Sequence, residues 1–146
     1  MSAVKRIGQS ISTLIAAWRR LGALTTLRWL PIRLGQKLGV GGPARWRAHP
    51  RQVRHDLIAR LGGSSDMDAF CQVFIYEEYL PLRALANVSL VLDLGANAGY
   101  SSAYFLSCFP NSRVVAVEPD DRNMTISRVN LKPYGDRALL LHGAVW

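Results

Sequence analysis

Along the first forty positions the apolar residues recur at helical steps. Ile7, Ile11, Leu14, Ile15, Trp18 and Leu21 fall three and four apart within residues 4–21, which marks one face of an amphipathic helix. Lys5, Gln9, Ser12, Arg19 and Arg20 lie mostly off that stripe. Gly22 loosens the pattern, and Leu24, Leu27, Trp29 and Leu30 predict a further short helix. Pro31 is expected to end it and to open the next at its first position. The run Gly39-Val40-Gly41-Gly42-Pro43 reads as a linker.

Between Arg54 and Leu61 the period changes. Leu57, Ala59 and Leu61 alternate with Asp56 and Arg60, a strand pattern broken only by Ile58. Gly62-Gly63 turns the chain. Ser65-Asp66-Met67-Asp68 has the form of a capping box with Asp in place of Glu, so a helix is expected to start there. The aromatic-rich stretch Phe70–Tyr79 fits helix and strand equally.

The second half alternates cleanly. Val88–Leu94, Arg113–Val117 and Ala138–Val145 are short apolar strands. Gly99–Phe109 and Pro119–Leu131 are helices, the first stopped by Pro110 and the second started by Pro119. This order predicts an α/β fold with right-handed crossovers and a parallel sheet of about three strands. Three segments follow: a basic helical arm over 1–42, a lead-in strand and helix over 43–87, and a partial α/β domain over 88–146.

Charge divides the chain the same way. Residues 1–60 carry 12 Lys/Arg against Asp56, a net of +11, whereas the remainder is −3. A basic amphipathic arm can pack on its own domain or a partner subunit, or lie on a membrane surface through residues 4–30, which Trp18, Trp29 and the arginines favour. Nucleic-acid binding is not expected, because no recognised motif accompanies the charge. No apolar run is long enough to span a membrane, and Ile11–Trp18 ends in Arg19-Arg20 without a cleavage site. An Arg-rich, acid-free start also has the composition of a transit peptide. Cys71 and Cys108 have neither CxxC spacing nor a histidine cluster, so no disulfide frame or zinc site is expected and a cytoplasmic, reducing setting is the default, with a peripheral membrane position as the variant. His49, His55 and His142 are scattered, and no metal is expected.

The chemistry concentrates in Val91-Leu92-Asp93-Leu94-Gly95-Ala96-Asn97-Ala98-Gly99-Tyr100 and in Glu118, 25 positions after Asp93. In open α/β sheets ligands bind beyond the carboxyl ends of the strands. Gly95 permits a sharp turn there, and Gly99 lets a helix begin close to the ligand, whose carboxylate its free N–H groups can satisfy. A carboxylate at Glu118 can accept both hydroxyls of a ribose, each such bond contributing about 1.5–3 kcal/mol. A dinucleotide loop requires glycine at the positions held here by Asn97 and Tyr100, which argues against NAD or FAD. A P-loop is excluded by the missing Gly-Lys-Ser/Thr ending. Taken alone, Asp93 is also explained as a turn-capping acid and Glu118 as a helix-start acid.

Asp93-Leu94-Gly95-Ala96-Asn97-Ala98-Gly99 with Glu118-Pro119 resembles the first two motifs of S-adenosylmethionine-dependent methyltransferases of the Rossmann-like class. More narrowly it is similar to the FkbM family. Tyr104-Phe105, Phe109-Pro110, Val114–Pro119, Asn130 and Gly143-Ala144-Val145 carry the likeness, as do Ser65-Asp66, Gln72-Val73-Phe74 and Glu78-Tyr79 upstream. The resemblance implies transfer of a methyl group from S-adenosylmethionine to a hydroxyl of a small molecule or glycan. It further implies that Gly95, Ala96, Asn97, Gly99 and Tyr100 line the methionine end and that Glu118 holds the ribose. Asp93 would order the loop and reach the amino group, and Asp120 would lie near adenine or ribose. No catalytic base is identified.

That class has a seven-stranded sheet, so the chain is expected to be a fragment or truncated product holding the cofactor half, without turnover by itself. Were it complete, Val88–Leu94 would be an unpaired edge. Two other functions are weighed: a membrane-associated or scaffold protein without catalysis, and an NAD-linked oxidoreductase, disfavoured by Asn97 and Tyr100.

Overall fold

A computed structural model describes residues 3–39 and 44–145. Helices α1 (Ala3–Leu21) and α2 (Ala23–Lys37) form an N-terminal arm and meet at Gly22, whose φ of +77° is a left-handed turn. Pro31 does not end a helix; it sits inside α2. Its ring leaves the Leu27 carbonyl without a helical partner, and both residues are exposed, so water can take that bond. Ala17 and Leu21 of α1 and Trp29 of α2 are buried. Leu14, Ile15 and Trp18 of the predicted stripe are exposed, and the side chains of Ile7 and Ile11 fall outside the described residues, as does the linker at 40–43.

A hairpin follows. β1 (Arg45–Ala48) runs antiparallel to β2 (Leu57–Arg60), setting Trp46 opposite Ala59 and Ala48 opposite Leu57 on the buried side. β1 was not expected from the sequence. Helix α3 (Asp66–Phe74) resolves the ambiguous aromatic stretch, and Leu80–Ala84 adds a short 3-10 turn. The capping box does not form, since Ser65 makes no side-chain cap bond. Asp66 is instead drawn into the interior by Arg60, with Oδ1 and Oδ2 taking Nη2 and Nε at 2.6 and 2.9 Å.

Strands β3 (Leu90–Leu94), β4 (Arg113–Glu118) and β5 (Ala138–His142) form a parallel sheet in that order. Helices α4 (Tyr100–Cys108) and α5 (Asp121–Leu131) make the crossovers. Because the strand order steps one way and crossovers are right-handed, both helices lie on one face. Val114 and Ala116 are fully buried beneath them. On the other face Leu90, Leu92, Leu94, Leu139 and Leu141 are 44% to 61% exposed. The core joins the hairpin to the helices through aromatic rings. Trp46, Phe70 and Tyr100 meet edge to face, with centroids 5.0 and 5.6 Å apart, a geometry that adds about 0.5–1.5 kcal/mol per pair beyond burial. Among the described residues no helix is long and apolar enough to cross a membrane.

Candidate functional site

Parallel pairing brings the ends of β3 and β4 together, Leu94 beside Val117, so the loop Gly95–Gly99 and Glu118 share one end of the sheet. The loop is held to β4 by two bonds. The amides of Gly95 and Ala96 both donate to the Val117 carbonyl, at 2.8 and 3.0 Å. Three alternate residues are left-handed: Gly95 (φ +89°), Asn97 (+49°) and Gly99 (+79°). A Cβ on Gly95 would meet nothing within 4 Å, so space stays open above the turn. Gly99 has a packing role that the sequence did not show. A Cβ there would stand 2.7 Å from Ser127 Oγ and 3.2 Å from Leu131 Cγ, so this glycine lets α4 press onto α5.

Glu118 is buried and anchors the opposite wall. Its Oε2 accepts from the Asn97 amide at 2.8 Å, while Oε1 accepts from the Asp120 amide and Asn123 Nδ2 at 3.0 and 3.1 Å. Asp93, half-buried, accepts the hydroxyls of Ser101 and Ser102 on one oxygen, Oδ2, which pins the first turn of α4 to β3. Asn97 donates through Nδ2 to Ser65 Oγ at 3.2 Å, and its Oδ1 is buried without a partner.

One expected site side chain points away from the loop, and another caps a helix beside Glu118. The Tyr100 ring is buried against Phe70 and Phe74, and its hydroxyl donates to the Ile58 carbonyl at 3.1 Å. Burial raises its pKa well above 10. Only the backbone of Tyr100, in the first turn of α4, faces the loop. Asp120 is the N-cap of α5, accepting from the Asn123 amide at 2.9 Å. The helix therefore starts after Asp120, not at Pro119. His142 lies exposed at the end of β5, where Nε2 donates to the Pro119 carbonyl at 2.8 Å.

The residues that hold this loop in place were not read as such from the sequence. Asn130, buried on α5, accepts from the Ile58 amide at 2.8 Å and donates to the carbonyls of Ile58 and Ala98 at 3.0 and 2.8 Å. Standing 72 positions from Ile58, it ties β2 to the loop. A second link runs from Asp66 through Arg60 and Asn123 to Glu118. The hydrogen-bonded Asp66 carboxylate, fully buried, raises the Arg60 pKa. Nothing local marks either link, since both depend on the hairpin folding against α5. Among the described residues no three His, Cys, Asp or Glu side chains gather to hold a metal ion.

A solved structure, the SAM-dependent methyltransferase from Agrobacterium tumefaciens, superposes on 69% of this chain with a TM-score of 0.50 and 14% identity. The sheet is Rossmann-like. The chain covers 33% of that structure. Among curated proteins, the ribosomal RNA small subunit methyltransferase H of Corynebacterium diphtheriae is 36% identical over 61 residues, which is 42% of this chain and 18% of that protein. No family model matches the sequence.

Proposed function

We propose that this chain carries the S-adenosylmethionine-binding half of a methyltransferase that acts on a hydroxyl of a sugar, glycolipid or secondary metabolite. The acceptor class rests on the FkbM-like motifs. The cofactor rests on one observation above all: an acidic strand tip on either side of a left-handed loop whose Asn97 Oδ1 is a buried acceptor without a partner. An orphan acceptor repels a pyrophosphate and suits a ligand that brings N–H donors, as the ammonium of methionine does. The open space above Gly95 supports the same fit.

When bound, S-adenosylmethionine supplies an electrophilic methyl group on a sulfonium. The chain supplies binding and orientation. Glu118 would take the ribose hydroxyls on the lone pairs that its three present donors leave, or by releasing the Asn97 amide. Asp93 has both of its hydroxyl bonds on Oδ2, so Oδ1 is left to receive the amino group. Gly95, Ala96 and Asn97 would line the methionine end, with Asp120 at the rim. The first-turn amides of α4 would meet the carboxylate.

Titration calorimetry of the chain with S-adenosylhomocysteine tests this reading. Binding heat is expected, with an affinity that Glu118→Gln lowers by about tenfold or more, and none for NAD. Heat with NAD and none with S-adenosylhomocysteine would instead establish the oxidoreductase reading. Binding, not turnover, is the appropriate readout for a chain that spans 18% and 33% of its methyltransferase relatives.

A further inference from the structure

The arm combines two surfaces. Residues 3–39 contain seven basic residues (Lys5, Arg6, Arg19, Arg20, Arg28, Arg33 and Lys37) and no acid. Helix α2 turns Thr26 and Trp29 inward, and Leu24, Leu27, Leu30, Leu34 and Leu38, at steps of three and four, are 42% to 68% exposed. On α1, Ile15 and Trp18 are about half exposed. An apolar stripe flanked by cations and free of acids is the pattern of a helix lying in a bilayer interface, with tryptophan at the headgroup level.

At the foot of the arm lies a cavity of about 440 Å³ lined by five arginines, Arg19, Arg20, Arg51, Arg54 and Arg83, against one acid, Glu77. Arg20 uses that acid, at 2.8 Å, and also donates to the Ile75 carbonyl. Among the described residues the other four arginines make no ion pair. Four uncompensated guanidiniums around one cavity form a site for phosphate. It is distinct from the loop site, since Ser107 and Cys108 on its wall close α4, whose first turn carries the loop about 13 Å away. Ile15 precedes Arg19 by one turn, so an exposed apolar side chain and a cavity-lining arginine share a face of α1.

We infer that the arm docks on an anionic phospholipid bilayer. The exposed leucines and Trp18 enter the acyl boundary, and a headgroup phosphate enters the arginine cavity. Phosphate chemistry alone would equally suit RNA, but RNA gives no partner to a leucine stripe four turns long. The inference is independent of what the loop site binds.

Co-sedimentation of the full chain with vesicles tests it. Binding is expected to phosphatidylcholine mixed with phosphatidylglycerol, weakened by salt, and not to phosphatidylcholine alone. The exposed triple variant Arg51→Gln, Arg54→Gln, Arg83→Gln should bind these vesicles at least about tenfold more weakly. Leu24→Ser with Leu27→Ser and Leu34→Ser, which keeps Trp18, should abolish the insertion that a blue shift of tryptophan fluorescence reports. Unchanged circular dichroism separates these effects from misfolding. The inference is overturned by equal binding to both vesicle types. It is also overturned if pyrophosphate or RNA binds while vesicles do not, or if the serine variant alters only the oligomeric state.

Discussion

The backbone amide of Asn97 donates to Glu118 Oε2 at 2.8 Å, joining the loop after β3 to the tip of β4 across 21 positions. Loop shape and carboxylate position are therefore set together. A ligand that claims Glu118 must share this bond or release it, and only in the second case would the loop move with occupancy.

Removing the carboxylate separates the two roles of Glu118. Glu118→Ala leaves three donors facing a buried gap and should destabilise the fold by about 2–4 kcal/mol in urea titration. Glu118→Gln keeps most of the packing, yet should weaken S-adenosylhomocysteine binding by about tenfold or more. Unchanged affinity in the glutamine variant would remove Glu118 from the binding site.

The two loop glycines should fail differently. Gly99→Ala meets Ser127 Oγ and Leu131 and is strained at φ +79°, a loss of about 2–4 kcal/mol. Gly95→Ala has open space and suffers only from its φ of +89°, about 1–2 kcal/mol, while narrowing the ligand space. Thermal melts and calorimetry on the pair check this, and equal stability losses would contradict it.

Asn130→Leu is expected to destabilise the chain by about 3 kcal/mol, because it strands the Ile58 amide and the Ala98 carbonyl and leaves the Ile58 carbonyl only its bond from Tyr100. Hydrogen exchange should show the loss concentrated in β2 and the Gly95–Gly99 loop. Uniform acceleration across the sheet would count against a tie between those two segments.

Alkaline pH should unfold the chain through its tyrosines. Burial raises the pKa of Tyr79, Tyr100, Tyr104 and Tyr134 above the ordinary value of 10. With the folded value raised, their contribution is complete below pH 10 and falls as the pH climbs past it. Tyr100 alone accounts for up to about 1.4 kcal/mol per pH unit. Tyr100→Phe should be about 1 kcal/mol less stable at neutral pH, through its lost bond to Ile58, yet show a shallower alkaline slope in denaturant titrations.

Much of the sheet was legible because β3, β4 and β5 are continuous apolar runs separated by helix-length segments. Asp93 and Glu118 were placed correctly at adjacent strand ends for the same reason. What escaped depends on tertiary partners. Arg45-Trp46-Arg47-Ala48 is too short to declare itself a strand before Leu57–Arg60 pairs with it. Ser65 has the sequence of a cap, but Arg60 and Asn97 recruit Asp66 and Ser65 for other bonds. Tyr100 sits at a motif position, and only the neighbouring rings reveal that its side chain leaves the loop.

The leucines on the uncovered side of the sheet carry a thermodynamic consequence. Whatever covers Leu90, Leu92, Leu94, Leu139 and Leu141 only while their strands are paired adds its free energy to that paired state. Asp93 and Glu118 end two of the same strands, so a ligand held between them favours the identical state. To the extent that the free chain unpairs these strands, cover and ligand are reciprocally coupled, each tightening the other by the same factor. An affinity measured at the strand tips is also a gauge of what rests on the leucines behind them.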